Sequence, residues 1–197
     1  MDLWEIERSC FARGIGLVCG ADEAGAGPLA GAVYAAAVIL PPGLELAGLN
    51  DSKKVSPRKR EELFAQIQAQ AVAWAVASVD EGEIDRINIL NARMLAMDRA
   101  IQALDPAPEY ALIDGNRNTG IRCPNETVVK GDGRSASIAA ASILAKVSRD
   151  RYMKEMDARY PGYGFARHKG YPTKAHYEAL RRLGPCPIHR RTFLKNL

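Results

Sequence analysis

Three times in this chain a short apolar run hands a carboxylate to a glycine-flanked turn. Gly16 to Asp22 reads as a strand and delivers Asp22-Glu23 just before Gly25 and Gly27. Tyr110-Ala-Leu-Ile ends at Asp114, followed by Gly115, and Val128-Val129-Lys130 leads to Asp132 between Gly131 and Gly133. In α/β sheets the crevice outside the strand ends is where ligands bind, and glycine there lets a ligand or another backbone come close. Four carboxylates at one edge repel one another unless a cation neutralises them. An all-oxygen donor set suits magnesium or manganese, not zinc. Such an ion activates water and stabilises a phosphate leaving group. Taken singly, Asp-Gly and Gly-Asp-Gly are ordinary turns; the threefold repetition favours a site. Neighbours on a strand point to opposite faces, so Glu23 is expected to join Asp22 through a bend made plausible by Gly25.

Other residues offer cations and aromatic rings. Asn50-Asp-Ser-Lys-Lys54 is a polar loop whose Lys53 and Lys54 suit phosphates or plain solvent. Ser142, Lys146 and Arg149 fall at i, i+4 and i+7, one stripe of a helix, either a phosphate contact or an outward charged face. That helix starts just after Gly131-Asp-Gly133-Arg-Ser135, so its free N–H groups are a further place for a phosphate. His168-Lys-Gly-Tyr171-Pro-Thr173 holds a ring that could stack on a sugar or base. His176 and His189 show no metal-ligand spacing, and there is no G-x-S-x-G elbow. Gly25-Ala26-Gly27-Pro-Leu-Ala30 matches a dinucleotide fingerprint. That reading fails because Val33 to Leu40 looks like a strand, Asp22-Glu23 would face a pyrophosphate, and Pro28 removes a donor.

The elements that must position these residues are legible from period and punctuation. Residues 2–13 suit a short helix with Leu3, Ile6 and Cys10 inward, joined by Trp4 and Phe11. Val33–Leu40 and Val72–Val79 read as strands, and Thr127–Val129 as a short one. Ser56-Pro57 opens a helix to about Gln70. Ile89–Leu104 is a helix with Leu90, Met94, Met97 and Ile101 on one face. Ser135 to about Arg159 is a long helix, and Thr173 caps a last one to Leu183. The order implies a layered α/β or α+β domain. Glu23 to Ala32 is too short for a helical crossover, so the first two strands should pair antiparallel. No internal repeat or linker is evident.

At 197 residues with 47% hydrophobic and 25% charged residues, the chain is globular and long enough for its own core. No apolar run reaches 18 residues, which excludes a membrane-spanning helix, and the first residues lack the pattern of a signal peptide. Cys10, Cys19, Cys123 and Cys186 form no Cys-x-x-Cys pair and read as reduced thiols of a cytoplasmic protein. The net charge of +4 divides into −6 over residues 1–133 and +10 over 134–197. A basic end beside carboxylates suits a polyanion partner next to a metal site, although charge alone favours a solvated basic face.

Taken together, Gly20-Ala-Asp22-Glu23-Ala-Gly25-Ala-Gly27-Pro-Leu-Ala-Gly31, Asn50-Asp-Ser-Lys-Lys54, Leu112-Ile-Asp114-Gly115, Val129-Lys-Gly-Asp132, Ala140-Ala-Ser142-Ile-Leu-Ala-Lys146 and His168-Lys-Gly-Tyr171-Pro-Thr173 resemble, in order, the motifs of bacterial ribonuclease HII. Arg190-Arg-Thr-Phe193 resembles that family's closing motif. The resemblance implies a single ribonuclease H-like domain over 1–197: a five-stranded mixed sheet flanked by helices, with a basic C-terminal helical part from about 134. It implies an endoribonuclease that cleaves RNA in RNA–DNA hybrids and single ribonucleotides embedded in duplex DNA, leaving 5′-phosphate and 3′-hydroxyl ends. It assigns Asp22, Glu23, Asp114 and Asp132 to catalysis, the first three as ligands of Mg2+ or Mn2+. Nucleic-acid contacts are expected at Gly25, Ala26, Gly27, Lys53, Ser142, Lys146, Arg149 and Tyr171. A monomer with no membrane association is expected. The family's glycine motif usually reads Gly-Arg-Gly; here Ala26 replaces the arginine. The family reads the ribose 2′-OH largely through backbone groups of this loop, so recognition should survive.

Overall fold

A five-stranded sheet in the order β3-β2-β1-β4-β5 lies at the centre of the computed structural model, which describes residues 2–194. Its strands are β1 (Val18–Ala24), β2 (Val33–Ile39), β3 (Ala73–Val79), β4 (Tyr110–Asp114) and β5 (Asn125–Val128). β1, β2 and β3 run as an antiparallel meander, while β4 and β5 add in parallel beside β1. The expected antiparallel first pair and the mixed five-stranded sheet are both present. The last strand begins two residues earlier than its β-branched run suggests, and Val129 is left exposed.

Helices cover both faces. α4 (Ile89–Gln102) lays Met94, Met97 and Ile101 against Cys19, Ala21 and Ile113. Leu90, expected on the same face, lies in the helix's first turn and is exposed. On the opposite face α2 (Pro57–Gln70) and α5 (Ala136–Arg159) pack Leu63, Ile67, Ala140 and Leu144 against Ala36 and Val38. Each fully buried leucine or isoleucine among them contributes about 2 kcal/mol. α5 sits unusually close to β1, because a Cβ on Gly20 would run into the backbone of Ser137 and Ile138. The alanine-rich start of α5 serves the same close approach.

The caps follow the sequence. Ser56, Ser135 and Thr173 each accept a backbone N–H at the start of α2, α5 and α7 (Lys174–Leu183). Two helices were not expected: α3 (Glu81–Ile87), capped by Asp80, and the single turn α6 (Phe165–His168). α1 (Glu5–Ala12) buries Cys10 as expected, but also Glu7. Glu7 Oε1 accepts from Ser135 Oγ at 2.6 Å and from the Ser137 N–H at 2.9 Å. The N-terminus of α5 therefore already holds an anion from its own chain, and the phosphate expected there is displaced. The C-terminal part forms its own cluster of Met153, Tyr163, Phe165, Leu180 and Ile188, which packs on Leu29 and Ala30 of the β1–β2 loop. All four cysteines are free and buried. Among the described residues no helix is long and apolar enough to cross a membrane.

Candidate active site

The register of the central strands explains how distant carboxylates meet. Gly20 pairs with Leu112 and Ala21 with Ile113 across the parallel β1–β4 ladder. Continued by one residue, that register sets Asp22 beside Asp114 on one face, strands being about 4.8 Å apart. Asp114 Oδ1 accepts from the Gly131 N–H at 2.7 Å and the Asp132 N–H at 3.4 Å, so it ties the turn after β5 to the end of β4. A Cβ on Gly131 would crowd Ile138, Asp114 and Val128, which is why this turn needs glycine. No bend falls between Asp22 and Glu23; the chain turns only after them, at Gly25 with φ +100°. The β1–β2 ladder continues through Ala24, so Glu23 stays on the α4 face, where Oε1 meets Arg93 of α4 at 2.8 Å. Arg93 escaped the sequence reading because nothing local marks it; only the strand's two-residue period, taken literally, points Glu23 towards α4.

The electrostatics show one interacting group. Burial, then the charges of Glu23, Asp114 and Asp132, push the Asp22 carboxyl well above its usual range. Glu23 is raised by burial and by Asp114, against the opposing pull of Arg93. Asp132 is raised by burial, Asp114 and Asp51. Lys53 reaches the same group: burial works against its charge, but Asp51, Asp22, Asp132 and Asp114 outweigh it and raise its pKa. Asp51 is a fifth carboxylate that the sequence reading left unassigned, although it stands in the same motif as Lys53.

These residues fit a divalent cation in donor chemistry. All are oxygen donors, and Glu23 Oε2 is buried without a hydrogen-bond partner, an atom that a cation would satisfy. Among the described residues no three His, Cys, Asp or Glu side chains are already drawn around one point. Glu23 is turned to Arg93 and Asp114 to the Gly131 N–H instead.

A stability prediction follows in the presence of a chelator. The unfolded chain ionises Asp22, Glu23 and Asp132 near pH 4, whereas the folded chain retains their protons to higher pH. Their contribution is therefore present below about pH 4 and lost as pH rises through the elevated folded values. The melting temperature of the wild type relative to Asp22→Asn should fall between pH 5 and pH 8. Added Mg2+ should raise the wild-type value more at pH 8 than at pH 5, and calorimetry checks both. A pH-independent gap between the two proteins would contradict the repulsion.

Beside the carboxylates, two buried arginines brace the loop from Gly25 to Ala32. Arg190 donates to the carbonyls of Gly31 (Nε, 2.9 Å), Ala26 (Nη1, 3.0 Å) and Gly25 (Nη2, 2.6 Å). Arg149 donates to Ala32 (3.1 Å), Ala30 (3.1 Å) and Lys169 (3.0 Å). Gly25, at φ +100°, leaves the space that the Arg149 side chain fills. Neither arginine is paired with a carboxylate among the described residues, and burial together with the charge of Arg149 lowers the Arg190 pKa to about 9. Tyr171 completes the platform. Its ring is exposed, lies 5.9 Å from the Arg149 guanidinium carbon, and stands 3.7 Å from where a Cβ on Gly27 would be.

The proposed stripe on α5 thus divides. Lys146 is partly accessible and pairs with Asp150 at 2.7 Å. Ser142 is buried, its hydroxyl donating to the Ala139 carbonyl, and Arg149 spends its donors on backbone. Neither lies on an open face, and Arg149 sits behind the loop. Arg190 belongs to the Arg-Arg-Thr-Phe motif already singled out, but no local signal marks its partners, which lie more than 150 residues earlier.

Comparison with known proteins meets this geometry. A family model described as Ribonuclease HII matches residues 19–196. A curated protein named Ribonuclease HII from Dechloromonas aromatica is 60% identical over 179 residues, covering 91% of each chain. Another of that name, from Moorella thermoacetica, is 56% identical over 191 residues, 97% of this chain and 93% of its own. The crystal structure of ribonuclease H2 from Pyrococcus horikoshii superposes with a TM-score of 0.73 at 26% identity, covering 90% of this chain and 93% of that one.

Proposed function

Because this chain belongs to the ribonuclease HII family and is an endoribonuclease acting on RNA–DNA hybrids, we propose that Asp22, Glu23, Asp114 and Asp132 are its catalytic group. The family depends on a divalent metal. Asp22, Glu23 and Asp114 would hold it here, as Mg2+ or Mn2+. When bound, it supplies charge stabilisation to the phosphate and lowers the pKa of the attacking water. The observation that carries the assignment is geometric: the β1–β4 register brings Asp22 beside Asp114, and Asp114 holds the Asp132 turn through the Gly131 and Asp132 N–H groups.

The chain's own residues set the rest. Asp114 fixes the Asp132 turn, so both carboxylates keep their places without substrate. Arg190 occupies the carbonyls of Gly25 and Ala26 from below. Among the described residues the N–H groups of Gly25, Ala26 and Gly27 meet no acceptor, which leaves them for a ribose 2′-OH. Those groups do not depend on the side chain at 26, so Ala26 is compatible with the role. The Tyr171 ring over Gly27 packs against the sugar of the following nucleotide, and its hydroxyl reaches the 2′-OH. That makes a ribonucleotide followed by deoxyribose the favoured junction. Lys53, beside the acidic group, and Lys146 on α5 contact phosphates.

The test is a DNA duplex bearing one ribonucleotide, incubated with and without divalent metal and with the new ends mapped. Metal-dependent cleavage leaving 5′-phosphate and 3′-hydroxyl ends is expected. Binding without turnover, or cleavage in chelator, would overturn the reading. Affinity should also fall steeply with salt, each neutralised phosphate adding about −0.9 to the slope of log K against log salt. Lys146→Ala should weaken plain and ribonucleotide-containing duplexes alike and flatten that slope by about one, measured by fluorescence anisotropy. A loss confined to ribonucleotide-containing duplexes would assign Lys146 to the sugar instead.

A further inference from the structure

All three histidines of the chain gather beneath Tyr171. His176 and His189 are buried, and His168 stacks on His176 with ring centroids 4.4 Å apart. Phe165 closes the group edge-on to His168 and His176. The hydrogen bonds fix the tautomers one after another. His189 Nδ1 receives the Cys186 N–H at 2.9 Å, with the Cys186 thiol and carbonyl each at 3.2 Å from the same nitrogen; the amide can only donate and is the shortest of the three contacts, which puts the His189 proton on Nε2. That nitrogen is 3.1 Å from His176 Nε2, which must therefore accept. The His176 proton is left on Nδ1, 3.0 Å from the Tyr171 carbonyl. His168 Nδ1 likewise receives the Gly170 N–H at 3.2 Å, while its Nε2 donates to the Tyr163 carbonyl at 2.7 Å. Tyr171's own N–H donates to the His168 carbonyl at 2.9 Å. The relay from the Cys186 N–H through His189 and His176 to the Tyr171 carbonyl is directional. Burial lowers both buried imidazoles, His189 to about 4, so the neutral state persists at working pH.

We infer that His176 is a positioning residue for Tyr171, set by His189, so that the relay from the Cys186 N–H through both imidazoles fixes the backbone from which the ring is held over the glycine loop. The inference deepens the proposed function and rests on the reading of Tyr171 given there. Its consequence is specificity. A ring that wanders can no longer discriminate the nucleotide after the cleavage site, while the carboxylates are untouched.

The readout is the ratio of kcat/KM for a duplex with one ribonucleotide to kcat/KM for continuous RNA in a hybrid. His176→Leu should lower this ratio about tenfold, displacements of about 1 Å being costly in catalysis. His176→Asn, whose amide nitrogen lies where Nδ1 did, should restore most of it. In a Tyr171→Ala background, which lowers the ratio by itself, His176→Leu should lower it no further. Nitrogen NMR of the wild-type imidazoles, with only three to assign, should show His176 protonated on Nδ1 and His168 and His189 on Nε2. The inference is overturned if Tyr171→Ala lowers the ratio but His176→Leu and His176→Asn leave it unchanged, or lower both substrates equally. It is equally overturned if His176 carries its proton on Nε2 in the folded wild type, a result that needs no variant to fold. An unchanged ratio in Tyr171→Ala overturns the reading of Tyr171 and the inference with it.

Discussion

Asp114→Asn should reduce cleavage of an RNA–DNA hybrid by roughly 10² to 10³ in saturating magnesium, the usual cost of losing one preorganised electrostatic group, while the protein remains fully folded. The asparagine carbonyl can take the place of Oδ1 and keep both backbone bonds, from Gly131 and Asp132. Volume is nearly unchanged. What is lost is one negative charge at the point where β4 and the turn after β5 meet. That charge is also a cause of the elevation of Asp22, Glu23 and Asp132. In chelator the variant should therefore melt no lower than the wild type, and relief of repulsion favours a higher value. Activity loss with a retained or raised melting temperature separates a ligand from a structural residue. Near-normal turnover of Asp114→Asn would remove Asp114 from the site.

Arg190→Met should be among the most damaging single changes outside the carboxylates. The methionine fills much of the arginine's volume but donates nothing to the carbonyls of Gly25, Ala26 and Gly31. Each buried carbonyl left unpaired costs roughly 1–3 kcal/mol, so a loss of about 3 kcal/mol or more is expected in denaturant unfolding. Arg190→Lys should recover only part of it, since one ammonium cannot reproduce a planar fork over three carbonyls. The folded fraction should also cleave poorly, because the glycine loop loses its support from below. A Met variant as stable and active as the wild type would show that the loop holds itself.

The difference between these two sites also marks what the sequence discloses. Asp22, Asp114 and Asp132 were legible because a strand that ends in carboxylate and glycine is a local pattern, and three repeats outweigh the turn reading. The caps Ser56 and Thr173 were legible for the same local reason. Asp80 and Glu83 carry the capping-box spacing that opens α3, so that helix was readable and was missed. Arg149 was read as a phosphate contact from its helical spacing alone, yet its acceptors at Ala30 and Ala32 lie more than 110 residues earlier. No periodicity reveals such a partner. Glu7 was passed over because a carboxylate on an apolar face looks like a surface residue until the N-terminus of α5 is seen docked on it. Glu23 was the reverse case: the two-residue period of a strand already placed it opposite Asp22, and the chain turns only beyond the pair, at Gly25.

The central claim is that carboxylates from three strand ends make one cation site. Calorimetric titration with Mn2+ tests it without any nucleic acid. Saturable binding is expected in the wild type. It should weaken by roughly tenfold or more in Asp22→Asn, Glu23→Gln and Asp114→Asn, a shift of the size that even outer partners of a metal site produce. The exposed Glu178→Gln should titrate like the wild type. Equal Mn2+ affinity in the wild type and all three site variants would contradict the account.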